Sequence, residues 1–593
     1  MTAIDPYDAR RALAAPGSLR AFNDAGVLAP ADVHVARRLA ALTGEADETV
    51  VLAVALAVRA PRLGHVYVDL ATIRGTATVD ADEPVDLSAL PWPEPAAWRA
   101  RVAASPLTQG PLQLAGDALY LDRYWREERR LAEDLRALAD GTAAEPREEL
   151  LVAGLDRLFA GAGDTRQRLA AETAVRQRFA VVAGGPGTGK TTTVARIVAL
   201  LLEQADAAGG AAPLVALAAP TGRAAARLIE AVHAEAEALD VGDAVRARLL
   251  ALDASTLHRL LGWQPGTHSR FRHNRANRLP HDVVIVDETS MVSLSLMARL
   301  VEAVRPDARL ILVGDPGQLT SIEAGAVLGD IVGQGDSAPE RGIVVLDRVH
   351  RYGGAIATVA EAIRRGDADA VLHALGDVTW IDTEPAGEDA AGPVRERAVA
   401  AARGVRAAAL AGDGATAIAG LGTFRVLCAH RRGPFGVGIW TARVEGWLVH
   451  AIPGFGALGD WYPGRPLLVT ENDYGLRLYN GDTGVVVARA DGTVTAAFER
   501  HGDVAEVSPS RLAAVETAYA MTVHKSQGSQ FDTAAVVLPG PESPLLTREL
   551  LYTAVTRARK ELIVAGSEAA IRAAVARPVA RASGLGRRLW AAA

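Results

Sequence analysis

The run GGPGTGKTT, from Gly184 to Thr192, carries the residue types needed to grip a nucleoside triphosphate. Gly184, Gly185, Gly187 and Gly189 let backbone N–H groups turn inward around phosphate, with Pro186 and Thr188 spaced between them. Lys190 then reaches toward the β and γ phosphates, and the Thr191 hydroxyl, followed by Thr192, is a hard oxygen suited to Mg2+. A second cluster ends the run VVIVDE with Asp287 and Glu288. Four apolar residues ahead of the acids place them at the C-terminal edge of a buried parallel strand, where α/β proteins bind ligands. Asp287 would hold Mg2+ through water, and Glu288 would polarise the attacking water. An Asp-Glu pair alone more often caps a helix; beside the glycine loop it completes an ATP hydrolysis site. Such a site still needs cations against the transferring phosphoryl group, and two arginines are candidates: Arg351 in LDRVHRY and Arg557 in LYTAVTRAR.

The elements around these residues follow a regular rhythm. FAVVAG precedes the glycine loop, and after it Val194, Ile197, Val198, Leu201 and Leu202 form the buried stripe of a helix. FAVVAG, LVALAAP, VVIVDE and LILVGD, each followed by a turn and a helix, predict a parallel sheet covered on both faces. A second series, Ile343–Asp347, Phe424–Ala429, Thr533–Pro539 and Glu561–Gly566, predicts a second α/β domain. Between its halves the stretch 465–507 is rich in strands and turns, with a hairpin signal at Asp491-Gly492, and reads as a small β-barrel insertion. Pro84, Pro91, Pro93 and Pro95 break the chain ahead of these domains, which predicts a small N-terminal domain ending near residue 105. The expected division is therefore 1–105, 106–340, 341–464, 465–507 and 508–593.

Composition excludes several classes. The chain has 593 residues, 49% hydrophobic and 22% charged, a globular balance with no apolar run near the roughly 20 residues of a membrane span. Its start, MTAIDPYDARR, resembles neither a secretory signal nor a transit peptide, so a cytoplasmic protein is expected. One cysteine, Cys428, in what reads as a buried strand, rules out an internal disulfide and cysteine-rich metal folds. A net charge of −7 gives no global signature of nucleic-acid binding, so any DNA contact must be local. The most basic stretch, His268 to Arg278, holds four arginines and no acid, a composition that a solvated loop explains almost as well.

Taken in order, GGPGTGKT, APTGRAAARL, STLHRLLG, VVIVDETSMV, LVGDPGQLTSIEAG, LDRVHRY, ENDYGLRLYNGDTG, AYAMTVHKSQGSQFD and LYTAVTRAR resemble the motifs of superfamily 1 helicases. Within them the chain is similar to the RecD family, the alpha subunits of exodeoxyribonuclease V. The resemblance runs from about residue 106 to the end. It implies two RecA-like domains, with an SH3-like barrel inserted in the second and a β-hairpin at about 263–280 in the first, near the point of strand separation. It also implies roles. Gln167, or more weakly Gln177, would read the adenine edge, and Gln318, supported by Asp315, would sense the γ-phosphate. Thr221, Arg223, Thr256, His258, Asn472, Thr522, His524 and Lys525 would line single-stranded DNA, although Thr256 is about equally well placed as an ordinary helix cap. The resemblance further implies ATP and Mg2+ as cofactors and 5′ to 3′ travel on the 5′-ended strand of a duplex end. RecB and RecC would be partners in a heterotrimer, the N-terminal domain docking on RecC and nuclease activity belonging to RecB. The work would be double-strand break repair by homologous recombination, beside the nucleoid. Two other readings stay open: a stand-alone RecD-like helicase, and a regulatory ATP- and DNA-binding subunit that does not unwind.

Overall fold

The computed structural model describes residues 10–13, 15–79, 86–161, 165–264, 270–333, 337–347, 354–382, 391–455, 459–473, 475–500 and 503–590. Three helices, Gly17–Asp24, Pro30–Thr43 and Glu48–Arg62, open the chain and pack through Phe22, Val33, Leu52 and Leu56. Strand β1 (Tyr67–Asp69) follows, and its partner is distant in sequence. The hairpin of β2 (Leu112–Ala115) and β3 (Ala118–Leu121) completes an antiparallel sheet in the order β1-β3-β2, with Tyr67 opposite Tyr120. The proline-rich break is therefore no domain boundary. It leads into the helix Pro95–Ala104, whose Trp98 is buried in the same core, and the N-terminal domain runs to about Leu121 instead of 105.

A long amphipathic helix, Asp122–Ala139, connects to the first lobe. Its six strands are β4 (Phe179–Gly184), β5 (Val215–Ala219), β6 (Ala254–Thr256), β7 (Val283–Val286), β8 (Arg309–Gly314) and β9 (Ile343–Leu346). They pair in parallel in the order β6-β5-β7-β8-β4-β9. Continuous apolar runs in β4 and β7 suit strands buried on both faces, and separate cores cover the two sides. Here the structure corrects the expected division: Ile343–Leu346 does not open the second domain but closes the edge of the first sheet against β4. A β-branched run looks the same at the edge of either sheet, so its sequence carries no address.

The second lobe holds β10 (Thr379–Ile381) and β11 (Phe424–Cys428), and then the chain leaves it for the insertion. That insertion is one antiparallel sheet of β12 (Pro466–Val469), β13 (Thr483–Ala488), β14 (Val494–Arg500), β15 (Asp503–Val507) and β16 (Val515–Thr517), in the order β15-β14-β13-β12-β16. Because β16 pairs with β12, the insertion ends at Thr517, beyond the expected 507. The chain then returns with β17 (Ala520–Thr522), β18 (Phe531–Val537) and β19 (Ala558–Ala565), giving a parallel sheet in the order β10-β19-β18-β11-β17.

The last described residues do not stay with this lobe, as the expected 508–593 unit required. Val66 N–H donates to Ala582 O, Arg581 donates to Ser321 O, and the helix Leu585–Trp590 buries Leu585 and Leu589 in the first-lobe core. Fully buried Glu128 accepts from Arg588 Nε at 2.8 Å and Gly584 N at 2.8 Å, so the C-terminal strap ties the N-terminal domain to the first lobe. Among the described residues no helix is long and apolar enough to cross a membrane.

Candidate nucleotide and nucleic-acid site

Strand β4 delivers the glycine loop at its C-terminal end, and the helix Lys190–Ala207 starts directly from it. Gly187 and Gly189 both have φ of 80°, the left-handed region that a side chain resists. At Gly189 there is a second reason for glycine: an added Cβ would lie 2.2 Å from Gln167 Nε2. That amide is buried and donates to Thr188 O at 3.0 Å, so Gln167 braces the loop from below. Gln177 instead donates to Pro339 O, at the far end of β4. Lys190 Nζ lies over the loop, donating to Gly184 O at 2.7 Å and Gly185 O at 2.9 Å. The Thr193 hydroxyl donates back to Gly189 O, whereas those of Thr191 and Thr192 make no hydrogen bond among the described residues.

Across the loop, β7 ends in Asp287 and Glu288. Burial, reinforced by the Glu288 charge and opposed by Lys190, pushes the Asp287 carboxyl up to about 6. Glu288 is held at φ 52° while its N–H donates to Asp287 Oδ1 at 2.7 Å, a backbone strain of the kind found at functional positions. A buried carboxylate, and threonine hydroxyls at the start of the helix Lys190–Ala207 that make no hydrogen bond among the described residues, are oxygen donors of the kind that fits Mg2+. No group of three or more His, Cys, Asp or Glu poised for a metal occurs among the described residues, so any ion here would lean on phosphate and water as well.

The loop after β8 joins this site to the second lobe. Asp315, buried and raised from the usual carboxylate range chiefly by that burial, accepts from Gln318 Nε2 at 3.1 Å and from Gly317 N at 2.9 Å. Tyr552, on the second-lobe helix Arg548–Val555, also bonds Asp315, and its hydroxyl sits against Gly185 of the glycine loop. Leu319 is fixed twice more: its N–H donates to Thr553 Oγ1 at 2.8 Å, and its carbonyl accepts from Gln527 Nε2 at 2.7 Å. The sequence reading missed Tyr552. It lies within LYTAVTRAR, but a tyrosine on a buried helix face is indistinguishable there from ordinary core. Arg364 was missed as well. Glu361 holds it at 2.9 Å, and its charge is further favoured by Tyr552 and Asp315, so a second-lobe guanidinium feels Asp315 of the first.

The two expected arginine fingers fare differently. Arg351 lies outside the described residues. Arg557 is buried, and its nitrogens donate to Thr553 O, Ser529 O and Thr556 Oγ1, all within the second lobe.

The residues expected on DNA stand at the C-terminal ends of β5, β6 and β17 and on the insertion. Thr221 and Thr256 cap their helices, accepting from Ala224 N and Arg259 N at 3.2 Å. Arg223 spans the lobes, donating to Ser529 Oγ and Thr483 Oγ1, both at 2.7 Å, and burial pulls it below the usual arginine range. Thr522 Oγ1 accepts from Lys525 N, and Lys525 Nζ meets Glu516 at 3.3 Å. Half-buried His524 is lowered by burial and by Arg581, which favours the neutral ring. His258 is exposed with its ring 5.8 Å from Phe271, and Asn472 Oδ1 accepts from Asn480 N. Of the basic stretch, residues 268 and 269 fall outside the described residues. The rest forms a narrow turn with antiparallel bridges Trp263–Phe271 and Asn274–Asn277, and Arg275 is paired with Asp134 at 2.5 Å.

Two parallel-sheet lobes meeting at one phosphate loop, with a single loop linking the acids of one lobe to a helix of the other, define an ATP-driven helicase motor. Family models agree with this division: an AAA domain matches residues 167–324, a UvrD-like helicase C-terminal domain 517–565, and the N-terminal domain of RecBCD enzyme subunit RecD 24–120. The RecBCD enzyme subunit RecD of Mycolicibacterium smegmatis is 54% identical over 96% of this chain and 99% of its own length. The RecD subunit of Mycobacterium tuberculosis is also 54% identical, over 98% of both chains. The chain belongs to the RecD family of RecBCD enzyme subunits. A more distant relative, the ATP-dependent RecD2 DNA helicase of Deinococcus radiodurans, is 32% identical over 80% of this chain but only 59% of its own. The crystal structure of Bacteroides Pif1 bound to ssDNA aligns with 68% of this chain and 92% of its own at 16% identity, with a TM-score of 0.37.

Proposed function

We propose that this chain is a 5′ to 3′ single-stranded DNA translocase that works as the motor subunit beside RecB and RecC in repairing double-strand breaks. The observation that carries the reading is the loop Asp315–Leu319, whose own acid Asp315 feels the Lys190 charge of the glycine loop and which bonds Tyr552, Thr553 and Gln527 of the second lobe. A change at the γ-phosphate has a short mechanical route to the second lobe. Identity of 54% to a RecBCD subunit, against 32% to the RecD2 helicase, favours the complex subunit over a stand-alone enzyme.

In this reading the loop 184–191 wraps the phosphates and Lys190 trades its carbonyl partners for the β and γ oxygens. Thr191 and Asp287 hold Mg2+, which screens phosphate charge when bound. Glu288 orients and deprotonates water, Gln318 reports the γ-phosphate to Asp315, and Gln167 sets the height of the loop beside the adenine. Arg351 and Arg557 supply cations as the lobes close. For Arg557 this requires leaving its three backbone and hydroxyl partners. Closing and reopening of the lobes, with Thr221, Arg223, Thr256, His258, Asn472, Thr522, His524 and Lys525 on the phosphate backbone, converts hydrolysis into travel. The insertion serves as an SH3-like wall of the DNA path, and the narrow turn at 270–278 stands at the strand-separation point.

The test is polarity. Single-stranded oligonucleotide should stimulate ATP hydrolysis by the purified chain, and the chain should displace streptavidin from a 3′-biotinylated strand and not from a 5′-biotinylated one. Displacement only from the 5′ end, or no stimulation, overturns the reading.

A further inference from the structure

Strands β11 and β17 lie side by side in register, with Cys428 opposite Thr522, and Val523 N–H donates to Cys428 O at 3.0 Å. Each strand is followed, three residues later, by a cation: Arg431 after Cys428 and Lys525 after Thr522. Matching offsets on adjacent parallel strands bring both side chains to one spot on the C-terminal edge of the second sheet, the edge where such sheets bind ligands. The structure shows them meeting there. Arg431 Nη2 lies 3.5 Å from Glu516 Oε1, and Lys525 Nζ lies 3.3 Å from Glu516 Oε2. Glu516 comes from elsewhere, on β16 at the edge of the inserted sheet, opposite Leu468.

One anion with two oxygens held between two cations has the charge and the geometry of a phosphodiester with its two free oxygens. Arg432, next in the chain, is exposed and forms no ion pair among the described residues, so the spot carries more positive charge than Glu516 balances. The arrangement does little for stability, since exposed ion pairs are worth only about 0–1 kcal/mol. A weak internal anion on a cationic seat is easily exchanged for a better one.

Resting on the DNA-path reading above, we propose that Arg431 and Lys525 form a backbone-phosphate seat of the second lobe, and that Glu516 occupies this seat as an internal phosphate mimic which single-stranded DNA displaces. Arg431 is then a DNA-binding residue that none of the helicase motifs quoted above contains. Glu516 also makes the inserted sheet responsive to DNA, because release of its carboxylate removes the ion pairs that tie β16 to Arg431 and Lys525 of the lobe.

The experiment measures binding of a fluorescein-labelled oligothymidylate to the full chain by anisotropy across a salt series. Arg431→Ala should weaken binding several-fold and lower the slope of log K against log salt by about 0.7, the loss of one single-strand phosphate contact. Arg431→Lys should restore the slope, and Glu516→Gln should tighten binding by about threefold at low salt. If Lys525→Ala weakens binding while Arg431→Ala and Glu516→Gln leave affinity and slope unchanged, the seat is overturned and the DNA path stands. If Lys525→Ala also has no effect, both fall. Unchanged unfolding midpoints for the variants confirm that the comparison is between folded proteins.

Discussion

The proposed nucleotide site and the proposed DNA path are built on opposite principles, although both use the C-terminal ends of parallel strands. At the nucleotide site the working groups are buried before any ligand arrives: Gln167, Asp287, Asp315 and Gln318 are at most 9% exposed. Burial lifts both aspartates above the usual carboxylate range, so the protein holds destabilised charge in readiness for cations. Along the DNA path the polar groups already have modest protein partners. Two threonines cap helices, Arg223 rests on two hydroxyls, and Lys525 rests on Glu516. One site concentrates electrostatic strain in a few groups, while the other spreads exchangeable contacts over the ends of three strands and the insertion. Substitutions should therefore be severe at the first and graded at the second.

The largest effect tests the severe end. Lys190→Ala should lower DNA-stimulated ATP hydrolysis by about 10²–10³-fold, the usual cost of removing one preorganised cation or donor from a transition state. A loss under tenfold would mean the loop does not carry the chemistry. Asp287 gives a pH-dependent version. Its carboxyl sits at about 6 against an ordinary 3.8, so its contribution to stability is present below the ordinary value and lost as pH rises through about 6. Asp287→Asn should remove that loss, raising the unfolding temperature relative to the parent increasingly as pH rises above the ordinary carboxylate range, while abolishing hydrolysis. Equal pH profiles for parent and variant would show the carboxylate is not desolvated. Tyr552→Phe probes the link between the lobes. Removing a hydrogen bond to a buried carboxylate costs about 1.5 kcal/mol, so DNA-stimulated kcat should fall by about tenfold with KM for ATP little changed. A change confined to KM would make Tyr552 a part of the pocket and not of the linkage.

The same contrast explains what could be read from the amino acids alone. The positions of the glycine loop, Asp287 and Glu288 can be read because each sits within a few residues of a strand end, so local geometry fixes where they stand, whereas Gln318 enters only through the resemblance to known motifs. Strands whose partners are remote cannot be so read. Ile343–Leu346 carries an apolar run that fits either sheet, and only its register with β4 assigns it to the first lobe. The expected boundary near residue 105 puts the hairpin of β2 and β3 with the first lobe, because its partner β1 lies across the proline-rich segment. Arg557 illustrates a further limit: its place in a motif marks it as a cation for phosphate, but its three present partners are all in the second lobe. A sequence encodes which groups are available and not which partner holds them in a given state.

Thr256 offers the finest discrimination, because its sequence was ambiguous and its structure has a defined alternative. Its hydroxyl accepts from Arg259 N at 3.2 Å and caps the short helix Leu257–Leu261, an arrangement worth about 1 kcal/mol. A hydroxyl so engaged can still donate its own proton to a phosphate oxygen, since accepting and donating use different parts of the group. Thr256→Ala should therefore cost about 1 kcal/mol in urea unfolding and weaken oligothymidylate binding by no more than a few-fold. Thr256→Asn keeps the cap but moves the donor, so it should recover the stability and not the affinity. If asparagine restores both, Thr256 is a cap alone and the DNA path does not include the C-terminal end of β6. If it restores stability only, the graded character of the path extends to its smallest contact.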